Sequence, residues 1–143
     1  YIPYNSYKLQ DPSVKNSDIL KPLHINQELP RYELHRVWIV DGTLKEGERH
    51  IYKRRTFYVD EDSWQVLMVD LYDSTDRLWR SQEVHTLMAY DRGVLMPAVE
   101  VFYDLRTRRY LVHAIDEGDP ERIEMMFDEE RFTPGGARDV APR

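Results

Sequence analysis

The chain has 143 residues, 41% hydrophobic and 32% charged, which suits one domain with its own core. Its net charge of −6 argues against broad binding to nucleic acid or to anionic membranes. With no cysteine, a disulfide framework, a thiolate zinc site and a cysteine nucleophile are all excluded.

No apolar stretch approaches the ~20 residues that a helix needs to span a bilayer, and no signal peptide is visible. The opening Tyr1-Ile2-Pro3-Tyr4 lacks an initiator Met, so an upstream part is expected to be missing and the compartment is left open. Ten Tyr, three Trp and four Phe supply broad contact area with polar handles, useful in strands and in binding walls alike.

Residues 1–30 read as an extended arm. Pro3, Pro12, Pro22 and Pro30 interrupt any period, each removing a backbone donor and restricting its predecessor. Ser17 is placed to cap one helical turn over residues 18–21. Tyr1, Ile2, Tyr4, Tyr7, Leu9, Ile19, Leu20 and Leu23 are the side chains expected to hold the arm on a sheet.

Residues 31–130 read as an antiparallel meander, because short Val-, Ile-, Tyr- and Leu-rich runs alternate with polar turn clusters. The predicted strands cover residues 31–44, 49–60, 64–72, 78–89, 97–105 and 109–116. Gly47 provides a turn residue free to take positive φ, and residues 60–63 fit a tight hairpin. Pro97 starts its strand, where proline is tolerated.

Gly118, Asp119 and Pro120 end the sheet, and the alternation of Ile123, Met125 and Phe127 favours a further strand in residues 121–130. Residues 131–143 form a tail or short helix, with Thr133 as N-cap and Pro134 at the first helical position, against the weakening effect of Gly135 and Gly136. In the third strand Trp64, Val66, Met68 and Tyr72 point one way and Leu67, Val69 and Leu71 the other. Apolarity on both faces predicts that both are covered, one by ligand or by chain not present here.

Two Glu-x-His pairs stand out: Glu33 with His35 and Glu83 with His85. Residues i and i+2 share a strand face, so each carboxylate can meet its imidazole. In a meander the two pairs lie about 14 Å apart, three spacings of ~4.8 Å, whereas metal–ligand bonds are ~2 Å. They are therefore read as structural or pocket polar groups, with no metal and no cofactor.

Ser63, Ser74 and Ser81 lie in no nucleophile elbow, and most carboxylates fall at turns. No catalytic residue is assigned. The basic run at residues 49–55 splits over two faces, within reach of acidic partners such as Asp70 and Asp73, so nucleic acid is not the expected partner. Arg106, Arg108 and Arg109 read as a solvated hairpin tip. Most aromatics serve a core, while Trp38 and Trp64, with Tyr52, Tyr58 and Trp79, are the candidate walls of an apolar groove.

Ordered blocks across nearly the whole chain resemble a bacterial family of periplasmic proteins of unknown function. They include Pro3-Tyr4-Asn5, Tyr7-Lys8-Leu9, His24-Ile25-Asn26 and the run from Arg31 to Trp38. Further blocks are His50-Ile51-Tyr52, Arg55, Phe57-Tyr58, Asp60-Glu61-Asp62-Ser63-Trp64-Gln65, Leu78-Trp79-Arg80 and Phe132-Thr133-Pro134. That family is related to outer-membrane lipoprotein-sorting factors of the LolA/LolB type and has longer members, so the chain looks like a C-terminal part.

The resemblance implies a curved half-barrel whose apolar concavity holds acyl chains, and a periplasmic or outer-membrane location. It carries over no catalytic residue. The expected function is a non-enzymatic hydrophobic-ligand or lipid carrier module. The alternative is a structural or interaction domain working with an exporter or outer-membrane partner, and the third reading is a small hydrolase. An unpaired edge on the first strand would also favour a homodimer.

Overall fold

The computed structural model describes residues 1–115. The expectations placed on residues 116–143, including the strand at 121–130 and the terminal helix, lie outside the described residues.

The chain is mainly β. In order it forms β1 (Ile2–Pro3), a 3₁₀ turn (Tyr7–Gln10), a single helical turn α1 (Asn16–Ile19), β2 (Tyr32–Glu33), β3 (Val37–Thr43) and β4 (Arg54–Asp60). There follow β5 (Val66–Tyr72), β6 (Leu78–Ala89), β7 (Val94–Asp104) and β8 (Arg109–His113). Six strands pair with their sequence neighbours in the order β3-β4-β5-β6-β7-β8, while β1 and β2 make a separate two-stranded sheet. Among the described residues all pairings are antiparallel, and the sheet is not closed into a barrel.

The expected meander is present, and β6 has the bounds read from the sequence. Other strands differ for local reasons. The first predicted strand is broken between Glu33 and Val37, because β2 leaves the sheet to pair with β1 and His35 turns to Asp60, 2.8 Å away. Residues 49–53 lie outside β4; there the Tyr52 N–H donates to the His50 ring at 3.0 Å instead of to a ladder. Trp64 is no strand residue but sits in a turn at φ 57.

β7 begins before Pro97 and tolerates it because Pro97 faces Thr86, beside the irregularity between His85 and Thr86. The helical turn starts earlier than predicted. Asp18 bonds the Lys15 N–H at 3.1 Å, so the cap is not Ser17.

Irregular register also occurs between Tyr58 and Val59 and between Leu71 and Tyr72. Bulges bend strands and increase their twist, so three successive pairings are each bent.

The arm lies on β6, β7 and β8. Leu9, Ile19 and Ile25 pack with Val99 and Val101 as a buried cluster, flanked by Val14, Leu29, Tyr103, Tyr110, Val112 and Ile115. Burial of each aliphatic side chain contributes about 1.5–3 kcal/mol. Of the expected anchors, Ile2, Leu9 and Ile19 are buried, while Tyr1, Tyr7, Leu20 and Leu23 stay exposed.

The face under the arm turns polar toward β3, β4 and β5. There Asp41, Arg54, Thr56, Tyr58, Asp70 and Ser81 hydrogen-bond with one another. Two-sided apolarity therefore holds for only part of the sheet.

Candidate ligand-binding face

Directly paired residues on adjacent strands share a face. The registers align one row across all six strands: Val40, Phe57, Val69, Gln82, Phe102 and Leu111. Five of these six side chains are apolar. Five interstrand spacings of ~4.8 Å make the row about 24 Å long.

Its middle is closed off, with Val69 buried, while its ends are open: Val40 is 49% and Leu111 63% exposed. This face is opposite the arm, because Val99 and Val101 alternate with Phe102 along β7.

A second row runs beside it: Gly42, Arg55, Leu71, Arg80, Asp104 and Arg109. It carries three arginines and one aspartate. Arg80, Gln82, Phe102, Asp104, Arg109 and Leu111 contribute to an open groove of about 550 Å³ at the β8 end.

Arg80 is engaged. Its Nε donates to Asp104 at 3.1 Å, its Nη1 donates to the Tyr52 hydroxyl at 2.7 Å, and its guanidinium lies 4.6 Å from the Trp79 ring centre. Asp104 also accepts the Thr107 N–H at 2.9 Å. That backbone bond, opposed by burial and aided by Arg80, holds the Asp104 carboxyl below its ordinary value. Arg106 also lies over the Trp79 ring, 4.8 Å from its centre, and pairs with Asp73. Arg109 has no charged or hydrogen-bonding side-chain partner among the described residues.

The sequence-derived wall candidates are dispersed. Trp38 shares the face of Val40 on the outermost strand and is 55% exposed. Trp64 is 71% exposed in its turn, away from the row. Tyr58 faces the other side and donates to Asp70 at 3.0 Å; burial first and that bond second push its phenol up to about 12. Tyr52 and Trp79 meet edge to face at 5.7 Å and border the groove through Arg80.

Phe57, Val69, Phe102, Leu111 and Arg109 form the face without having been singled out for it. Alternation of apolar side chains was visible in each strand, but which ones line up depends on register.

The two Glu-x-His pairs each make their internal contact, with His35 Nε2 at 3.2 Å from Glu33 and His85 Nε2 at 3.4 Å from Glu83. Because β2 crosses over the sheet, they are linked more closely than a flat meander implies: the Tyr32 hydroxyl donates to Glu83 at 3.2 Å. The histidines still occupy separate nests. His35 stacks on Tyr4 at 4.3 Å and bonds Asp60 at 2.8 Å.

His35, Asp60 and Asp62 place ligand-type atoms within 4.8 Å of one another. Yet the Asp60 oxygens are already used, Oδ1 by His35 and Oδ2 by the Ser63 hydroxyl and N–H. A cation would have to displace that hydrogen bond.

A serine that the sequence did not single out completes the other nest. Ser6 Oγ lies 3.3 Å from His85 Nδ1, so Ser6, His85 and Glu83 stand in the order of an acyl-transfer triad. Ser6 and His85 are both fully buried, and Ser6 Oγ donates to the Arg31 carbonyl at 3.2 Å and accepts the Arg31 N–H at 3.0 Å. Those bonds tie the end of the arm down where no substrate carbonyl reaches.

His85→Gln is accordingly expected to lower stability by ~1–2 kcal/mol, a buried polar substitution, as read by urea unfolding. Ester turnover by the parent protein that vanishes in this variant would overturn the structural assignment.

A family model described as a protein of unknown function (DUF1329) matches residues 1–138. The chain is 49% identical over 145 residues to an uncharacterized protein of Pseudomonas aeruginosa, covering 100% of this chain and 32% of that protein. It thus spans about a third of the length of that curated relative. Among solved structures, a DUF1329 family protein from Desulfovibrio piger aligns with TM-score 0.45 and 23% identity over 53% of this chain and 31% of that one. A Vibrio parahaemolyticus domain, provisionally described as an outer-membrane lipoprotein-sorting protein, aligns with TM-score 0.41 and 10% identity over 90% and 58% of the two chains.

Proposed function

The chain belongs to the DUF1329 family of proteins of unknown function, and we propose that it binds a hydrophobic ligand, such as a lipid, without chemistry, as a module of a cell-envelope protein. The observation that supports this reading is the apolar row of Val40, Phe57, Val69, Phe102 and Leu111, interrupted only by Gln82, on the sheet face opposite the arm, with the Leu111 end open to the groove. Each methylene buried there contributes about 0.8 kcal/mol, so ten supply ~8 kcal/mol before ordering costs. The envelope location rests on the resemblance of the sequence blocks to periplasmic relatives.

Full-length protein purified natively is expected to release lipid into organic extracts, detected by mass spectrometry. A panel of fatty acids and phospholipids is expected to raise its melting temperature. Empty extracts together with a flat panel would defeat the carrier reading.

A second reading would then take its place, favoured by β3. Among the described residues its outer edge is unpaired, and Trp38, Ile39 and Val40 are exposed along it. An edge of this kind accepts another strand, from a partner protein or a second copy of the chain.

A further inference from the structure

We propose that the ligand of this face is an anionic amphiphile: an apolar tail laid against the open end of the row at Phe102 and Leu111, with a carboxylate or phosphate head held by Arg109. The inference rests on the hydrophobic-ligand reading and adds the polarity and chemical class of the ligand.

Three observations carry it. The first is direction. Arg109 and Leu111 are two residues apart on β8 and share a face, so the arginine stands at one end of the apolar row rather than across it. The row then runs away from it through Phe102 and Gln82 as far as the buried Val69, about 14 Å at ~4.8 Å per strand. An object that is charged at one end and apolar along its length matches that layout.

The second is charge. The protein as a whole carries a net charge of −6. The row flanking the apolar one reverses this sign locally, with Arg55, Arg80 and Arg109 against Asp104. A general cation-binding or neutral surface would not need the reversal.

The third is availability. Asp104 is satisfied by Arg80 and by backbone N–H groups of the following turn. Arg80 is further held by Tyr52 and Trp79. Arg109 has no such partner among the described residues and lines the groove beside Phe102 and Leu111. A guanidinium presents planar donors that match carboxylate and phosphate oxygens in pairs. Arg80 stiffens the wall next to it, and Arg109 is the donor left for a head group.

The test uses the full-length polypeptide and four probes: palmitate, palmitoyl lysophosphatidate, neutral monopalmitoylglycerol and inorganic phosphate. At low salt the two charged lipids are expected to bind ~10-fold more tightly than the neutral one, the worth of one charge-assisted contact. Raising the salt should narrow that gap.

Arg109→Gln should erase most of the gap and leave monopalmitoylglycerol unchanged, while Arg109→Lys should keep part of it. Arg109 is an exposed strand-end residue, so an unchanged melting temperature will show that both variants fold. Whichever charged lipid binds more tightly identifies the head as carboxylate or phosphate.

Equal binding of charged and neutral lipid, indifferent to Arg109→Gln, would overturn the head-group assignment and leave the hydrophobic-ligand reading standing. Inorganic phosphate binding as tightly as the lipids would reduce the site to a plain anion site. No binding of any lipid, neutral included, would bring down both readings.

Discussion

Asp60→Ala is expected to lower stability by about 3 kcal/mol, the scale of removing one partner from a buried ion pair. Asp60 is fully buried at the end of β4 and serves two structures at once. Its Oδ1 accepts His35 Nδ1 at 2.8 Å, which fixes the chain where it leaves β2 for β3. Its Oδ2 accepts the Ser63 N–H at 2.9 Å and hydroxyl at 2.6 Å, which closes the hairpin into β5. Alanine removes the acceptor and strands those donors. Ser63→Ala, which deletes only one hydroxyl donor, should cost ~1 kcal/mol. Urea unfolding of the three proteins side by side checks the order.

The same pair gives a pH signature. Burial works against the Asp60 charge, but the two Ser63 bonds and His35 outweigh it and hold the carboxyl below its ordinary value. Its contribution is therefore present above the unfolded value of ~3.9 and lost as pH falls through the lower folded value. Burial likewise lowers the His35 imidazole, but hydrogen bonds to Asp60 and Glu33 prevail and raise it. That contribution is complete below ~6.5 and lost as pH climbs through the raised folded value.

The junction is thus strongest between about pH 4 and pH 6.5. Asp60→Ala should flatten both limbs of a plot of urea midpoint against pH, and His35→Gln should flatten mainly the alkaline one. An alkaline limb of parental steepness in His35→Gln would assign it to another group.

How much of this was legible in the sequence depends on whether a feature is local. β6 was readable to the residue because it is bounded on both sides by turn chemistry, residues 73–76 before it and 90–93 after it. The break before β3 was not, since residues 31–44 alternate well enough for one strand; what interrupts them is β1, thirty residues upstream, together with a carboxylate on β4.

Trp38 and Trp64 look equivalent as isolated large aromatics, but one lies in a ladder and the other in a turn at φ 57. The apolar row is a property of five registers at once, and a slip of one residue in any of them would turn a strand's side chains to the other face. Ser6 meets His85 across 79 positions of chain, a contact no spacing rule announces.

Ile25→Ala is expected to undock the arm and leave the sheet folded. Ile25 is wholly buried at the centre of the cluster with Leu9, Ile19, Val99 and Val101. Truncating such an isoleucine costs about 2–5 kcal/mol, depending on how far the cavity collapses. Little backbone pairing resists the change. The arm has the two-residue β1–β2 ladder, one isolated bridge between Leu20 and Ile25 and the Ser6 N–H bond to the Thr86 carbonyl at 2.7 Å, against the continuous ladders of β4 through β7.

Segments held by side chains rather than ladders open as separate units. Amide exchange in the variant should therefore accelerate across residues 1–31, and trypsin should cut after Lys8 and Lys15, while protection in β5 and β6 stays near parental. Equal loss of protection everywhere would mean that arm and sheet form one cooperative unit. Because the arm covers the face opposite the apolar row, lipid affinity in full-length Ile25→Ala should stay within about threefold of the parent, less than ~0.7 kcal/mol. Affinity that falls with arm docking would move the ligand from the open face to the arm's side of the sheet.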